Sequence, residues 1–262
     1  MKQRWFAACL ALLTSAASAQ EILTVEARPG VTQSVLVERA PDKPAAIALL
    51  FPGSGGNIRL RMEGEQIRFS PNNFLVRSRT EFVKHGVVAV VFDAPSDRSS
   101  GMDDTFRLDA AHAADVAGVI GELKKRHPTL PIYAVGTSRG TVSAAALGRR
   151  MPDALAGTVL TASVFLSGKR AGQQGLGGFD FASIKSRLLF AHHRQDGCAY
   201  TPYHSAAALA DRYPLISVAG GKPAQSAPCE ALAEHGFLGR EGETVEAIVN
   251  WMLSRPYPKE IH

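Results

Sequence analysis

The 262-residue sequence predicts an α/β fold: three layers, with a mostly parallel, twisted sheet between helices on both faces. Three observations predict it. Residues 46–51 and 87–92 are continuous apolar runs, the mark of strands buried on both sides, and 157–162 reads as another apolar strand. Helical stretches alternate with these runs at the spacing that crossover connections need. Residues 22–27 and 33–39 instead alternate around Arg28-Pro29-Gly30, as an antiparallel hairpin at a sheet edge does.

Composition agrees with an ordinary globular chain: 45% hydrophobic and 20% charged residues suffice for one sizeable core, so residues 20–262 are expected to form a single domain. Residues 1–19 read as a leader. Lys2 and Arg4 precede an apolar run at 5–13, and Ala17-Ser18-Ala19 is a small-x-small cleavage pattern. Export is therefore expected, to a bacterial periplasm or beyond. The run is shorter than the roughly 20 residues that cross a bilayer, and no later stretch qualifies, so no membrane span is expected in the mature chain. Losing Lys2 and Arg4 lowers the formal charge of +5 by two, to +3, too mild and scattered to point to nucleic acid. Cys9 leaves with the leader, and Cys198 and Cys229 remain. In an oxidising compartment they are expected to form a disulfide, whose loop of about thirty residues favours folding by roughly 3–4 kcal/mol on a chain-entropy estimate.

After the hairpin, the strand at 46–51 ends in Pro52-Gly53-Ser54-Gly55-Gly56-Asn57. Such a loop offers backbone N–H groups either to a phosphate or to an oxyanion. The Gly-Lys-Ser/Thr close of a phosphate loop is missing, since Asn57-Ile58-Arg59 stands there. A helix is expected over 71–85, stopped by Gly86, and a long amphipathic one over 106–126, ending before Pro128. Residues 163–186, rich in glycine with Phe165, Leu176, Phe179 and Phe181, form the longest irregular stretch. They are read as a partial lid lining the acyl side of a pocket, or else a connector. Further strands are expected at 188–191 and 215–218, and helices at 202–212 and 243–253.

Chemistry concentrates in Pro131–Arg150. A strand at 132–135 runs into Gly136-Thr137-Ser138-Arg139-Gly140 and then an alanine-rich helix. A serine at so sharp a strand-to-helix turn stands above the sheet edge, and only glycines two positions away let strand and helix pass. A serine hydroxyl needs a base in reach and an acid to hold that base. In chain order the acid should follow a later strand and the base should lie near the C-terminus. Asp196, just past the strand at 188–191, and His235, between the last strand and the closing helix, fill those places. Asp180 precedes its strand and Asp211 lies within a helix. His85, His112 and His127 sit on helices, His204 begins one and His262 is terminal. His192 and His193 beside Asp196 match no common zinc spacing, so no metal is expected. A Cys198–Cys229 bridge would tie the acid loop to the base loop.

With these residues in place the chain resembles the α/β-hydrolase family, in particular secreted bacterial serine esterases and relatives of dienelactone hydrolase. The resemblance runs from residue 46 to 253 and rests on GTSRG, Phe-Pro-Gly-Ser-Gly-Gly and the order Ser138, Asp196, His235. It implies a sheet of about eight strands, an acyl-enzyme on Ser138, no cofactor, and an oxyanion hole from the backbone N–H groups of Ser54 and Arg139. A small acyl compound is the implied substrate. The chain lacks the His-Gly-Gly-Gly turn and the large cap of many esterases, and has serine where dienelactone hydrolases have cysteine. Arg59, Arg61, Arg98, Arg107, Arg139 and Arg194 are candidates for binding a substrate carboxylate. A non-catalytic binding protein on the same scaffold, or a peptidase, are the alternative readings.

Overall fold

Alternation in the first strands and its loss in the later ones dictate the layout seen in a computed structural model, which describes residues 20–38, 43–169 and 171–262. The expected leader, 1–19, lies outside the described residues. Strands β1 (Gln20–Arg28) and β2 (Val31–Glu38) form the expected antiparallel hairpin, turning at Gly30 with φ +70°. Every residue of β3 (Ala46–Phe51) is buried. The short β4 (Arg61–Glu63) and β5 (Gln66–Arg68) make a separate exposed pair.

The helix expected over 71–85 is two pieces, α1 (Phe74–Arg77) and α2 (Arg79–Lys84), with a break at Ser78. Strand β6 (Val87–Phe92) follows. The helix expected over 106–126 also divides, into α3 (Asp104–Leu108) and α4 (Ala110–Arg126). Aspartates cause the division: Asp103 accepts from Phe106 N, while Asp109 turns extended and accepts from Ala111 N, ending one helix and capping the next. Then come β7 (Ile132–Thr137), α5 (Gly140–Arg150), β8 (Gly157–Thr161) and β9 (Arg187–His193). The chain goes on through α6 (Tyr203–Ala207), β10 (Leu215–Val218), α7 (Glu241–Met252) and β11 (Glu260–Ile261).

Nine strands form the main sheet in the order β1-β2-β6-β3-β7-β8-β9-β10-β11, antiparallel only at β1/β2 and β2/β6. The count exceeds the expected eight, and β11 is a two-residue strand outside the expected elements. It joins the far edge through Ser217 N to Lys259 O at 2.8 Å and Ala219 N to Ile261 O at 2.8 Å. Alternate residues of β3 supply the two cores, as period-two geometry requires. Ile47, Leu49 and Phe51 meet Val116 and Leu123 of α4 and Val142 and Leu147 of α5. Ala48 and Leu50 face the opposite layer with Phe82 of α2 and Val245, Ile248 and Trp251 of α7. The hairpin is fastened to α4 by Arg28, whose Nε donates to the fully shielded Asp115 at 2.7 Å.

His112 of α4 is buried against the rings of Phe51 and Phe106, centroids 6.0 and 5.7 Å away, and both ring nitrogens lack a hydrogen-bond partner. Burial, reinforced by Arg107 and Arg28, pushes its pKa down to about 3. The unfolded chain therefore takes up a proton below about pH 6.5 that the folded chain refuses. This site erodes stability as pH falls from about 6.5 toward 3, at up to about 1.4 kcal/mol per pH unit. His112→Phe is expected to raise stability at pH 7 and to flatten the pH dependence by about one proton. Urea unfolding at pH 7, 6 and 5 tests this, and parallel curves for the two proteins would refute it.

Candidate active site

The turn after β7 is a very tight crossing. A Cβ on Gly136 would stand 2.3 Å from Gly140 O, and one on Gly140 would stand 1.9 Å from Phe51 O. Neither position accepts a side chain. Between them Ser138 takes φ +52°, with its N–H donating to Thr161 O at 3.0 Å and its carbonyl accepting from Thr141 N at 2.9 Å. Ser138 and His235 line one cavity of about 250 Å³ above the sheet edge.

Past β9, Asp196 turns back on its own loop. Its Oδ1 accepts from Cys198 N at 2.9 Å, and its Oδ2 accepts from Thr201 Oγ1 at 2.8 Å. The same Oδ2 lies 3.0 Å from His235 Nδ1, and both side chains are nearly sealed from solvent. A carboxylate oxygen facing Nδ1 assigns the proton to that nitrogen, which leaves Nε2 as the basic one. Thr201 Oγ1 is also 3.2 Å from His235 Nδ1. Its place five residues after Asp196 carries no sequence signal, and it becomes visible only once the loop is folded.

The histidine stands in a single 3₁₀ turn, Glu234–Gly236, whose shape is enforced on all sides. A Cβ on Gly236 would meet Ala231 O at 1.9 Å, Arg77 Nη2 donates to Gly236 O at 2.6 Å, and the Phe237 ring packs on Phe74 at 4.8 Å. The sulfurs of Cys198 and Cys229 lie at bonding distance, 2.04 Å, with Cα atoms 4.5 Å apart. That contact joins the loop of Asp196 to the loop that leads into His235.

Residues 81–193 match the sequence pattern of a family described as serine aminopeptidase, S33. No curated protein matches the chain by sequence. Among solved structures, Est1E from Butyrivibrio proteoclasticus is similar at 13% identity and a TM-score of 0.60, covering 90% of this chain and 98% of its own. A putative α/β hydrolase from Agrobacterium tumefaciens reaches 18% identity and a TM-score of 0.58, with 91% and 100% covered. A Xanthomonas campestris protein described as an α/β serine hydrolase without lid gives 13%, 0.56, 88% and 95%. The fold is that of the α/β-hydrolases.

Within this α/β-hydrolase fold the two expected oxyanion residues flank the serine. Ser54, at φ +51°, sits in a turn closed by Gly56 N to Gly53 O at 2.9 Å, and Arg139 follows Ser138 directly. The turn presses against the serine: a Cβ on Gly53 would come within 2.9 Å of Ser138 Cβ. Beneath it, fully buried Arg107 donates to Ser54 O at 3.1 Å and to Ser143 Oγ at 2.7 Å, and burial lowers its pKa to about 10.

Two expectations need correcting. Among the described residues, none of 163–186 lines the cavity, because Phe165 and Phe181 pack on Phe190 of β9, at 6.3 and 5.3 Å between centroids. The cavity walls come from residues 52–58, 70–74 and 229–236. None of the six candidate arginines lines it either. Arg107 is buried under the turn, Arg139 pairs with Asp104 at 2.6 Å, Arg194 with Glu260 at 2.5 Å and Arg61 with Glu63 at 3.8 Å, while Arg98 lies over the Phe106 ring. His192 is buried and neutral, its pKa pushed down to about 3 by burial, with Nε2 accepting from Ser163 N at 2.9 Å. His193 Nε2 contacts Gly220 O at 2.9 Å. Among the described residues no group of three His, Cys, Asp or Glu side chains is placed to hold a metal ion.

Gly140→Ala is expected to destabilise the protein by on the order of 3 kcal/mol or more, since backbone atoms must move to admit the methyl. Gly121→Ala, at a helix position where an added Cβ meets nothing within 4 Å, is the matched control. Equal thermal midpoints for the two variants would refute the crossing as the constraint.

Proposed function

We propose that the protein is a serine esterase that cleaves a carboxylic ester of a small molecule through an acyl-enzyme on Ser138. One observation carries the reading: His235 Nδ1 is 3.0 Å from Asp196 Oδ2, on a histidine that shares a cavity with a serine held at φ +52°. In this reading His235 Nε2 takes the Ser138 proton as Oγ attacks the ester carbonyl. Asp196 keeps the ring oriented and stabilises its positive charge. The N–H groups of Ser54 and Arg139 receive the oxyanion, and losing one such donor typically costs about 2.7–4 kcal/mol of barrier lowering. When the tetrahedral intermediate collapses, the C–O bond breaks and the proton on Nε2 passes to the leaving alcohol. Water, deprotonated by the same nitrogen, then attacks the acyl carbonyl; the acid leaves and Ser138 recovers its proton.

The proposal includes export with loss of residues 1–19 and a Cys198–Cys229 disulfide in an oxidising compartment. Such a bond braces Asp196 against His235 from outside. A second reading, an aminopeptidase, is supported by the family match and by Glu230, an exposed carboxylate on the cavity wall that suits a substrate ammonium.

A fluorophosphonate probe is expected to label the folded protein at Ser138 and to leave Ser138→Ala unlabelled. Absence of labelling on folded wild type would overturn the serine mechanism in favour of a binding protein. p-Nitrophenyl esters of graded acyl length should turn over faster than aminoacyl anilides; the reverse order selects the peptidase. Cys198→Ser is expected to lower the thermal midpoint by roughly 5–15 °C, from a bridge worth about 3–4 kcal/mol in a chain of this size, and to reduce kcat. An unchanged midpoint and kcat would remove the bridge from the proposal.

A further inference from the structure

Asn73 lines the cavity and directly precedes α1. Its side chain has two ends with different duties. Oδ1 accepts from Leu75 N at 3.1 Å, as the cap of the short helix, and this bond fixes which end of the amide is oxygen. Nδ2 is thereby turned the other way, toward the Gly53 backbone: a Cβ built on Gly53 would lie 3.4 Å from Asn73 Nδ2 and 2.9 Å from Ser138 Cβ. The amide nitrogen and the serine Cβ thus both lie close to one point beside the Gly53 backbone. Among the described residues Nδ2 has no hydrogen-bond partner, although Asn73 is only half-buried and lines the same cavity as Ser138 and His235. A donor of fixed direction, left unused beside a nucleophile, is what a developing negative charge requires.

We infer that Asn73 Nδ2 is a third hydrogen-bond donor to the oxyanion, acting with the backbone N–H groups of Ser54 and Arg139. The inference rests on the serine-esterase reading above. It makes Asn73 a catalytic residue, since its amide meets the reacting oxygen, and its capping oxygen is what aims that amide. The capping role is kept by any short side chain with an acceptor. The donor role belongs to the amide nitrogen alone.

Two substitutions exploit that difference. Asn73→Asp keeps an acceptor for Leu75 N but replaces the donor with a second acceptor, and Asn73→Ser keeps a capping oxygen without the reach or the N–H. Both are expected to retain the wild-type thermal midpoint closely. Asn73→Asp should lose about 10²-fold or more in kcat on a p-nitrophenyl ester, and Asn73→Ser about 10-fold or more, with KM little changed. Inhibition by a trifluoromethyl ketone, which forms a tetrahedral oxyanion on the serine, should weaken in both by a factor close to the loss in kcat/KM. Asn73→Ala, which removes both roles, should in addition melt earlier. Wild-type kcat in Asn73→Asp and Asn73→Ser overturns the inference, and so does a loss confined to KM. Ester hydrolysis that survives in Ser138→Ala would instead remove the serine reading itself, so the two failures are distinguishable.

Discussion

The contact between the start of α5 and the end of β3 is the constraint on which the site depends. Gly140 lies against the Phe51 carbonyl with no space for even a methyl group, and Gly136 meets the Gly140 carbonyl in the same way. A helix can leave a buried strand this abruptly only if the residue between them turns left-handed, and that residue is Ser138. The hydroxyl-bearing residue therefore occupies its unusual conformation because the packing around it admits nothing else. The same crossing sets the Pro52–Asn57 turn beside the serine, since that turn continues directly from Phe51.

Around that crossing Asp196 is braced within its own loop, while His235 and the Ser54 turn are braced by chain-distant partners. Asp196 is held by Cys198 N and Thr201, His235 by the Arg77 contact to Gly236 O and by the ring pair Phe74–Phe237, and the Ser54 turn by Arg107 from below. The buried positive charge of Arg107 lies under the Ser54 carbonyl, in a turn that lines the cavity, so the low-polarity surroundings strengthen its hold on that peptide. His192, by contrast, is neutral and serves only to fasten the end of β8 to β9 through Ser163.

Much of the architecture was legible in the sequence because burial on both faces leaves an unbroken apolar run, as in Ala46–Phe51 and Val87–Phe92. Asp196 and His235 were legible from chain order, since each follows a strand whose end can be recognised, and the structure brings their side chains together. What could not be read depends on three-dimensional neighbours. Thr201 and Asn73 are ordinary loop residues until folding shows what their side chains face. Phe165 and Phe181 have the hydrophobicity of an acyl pocket, yet they satisfy it against Phe190 on the far side. The β4–β5 pair has three-residue, largely exposed strands without a buried face to mark them. The helix break at Asp109 comes from a side chain that bonds the backbone, a local competition that hydrophobic periodicity does not register.

Because the described residues of 163–186 line no part of the cavity, its mouth is bordered by short loops. Ser70, Asn72 and Glu230 project from such loops, on the outer side of the sheet's rim. Selection can exchange these residues without disturbing the packing that holds Ser138 in its turn and His235 against Asp196. Descendants of one ancestor would then diverge in diet while sharing a frame, and a laboratory library confined to those borders would explore the same freedom.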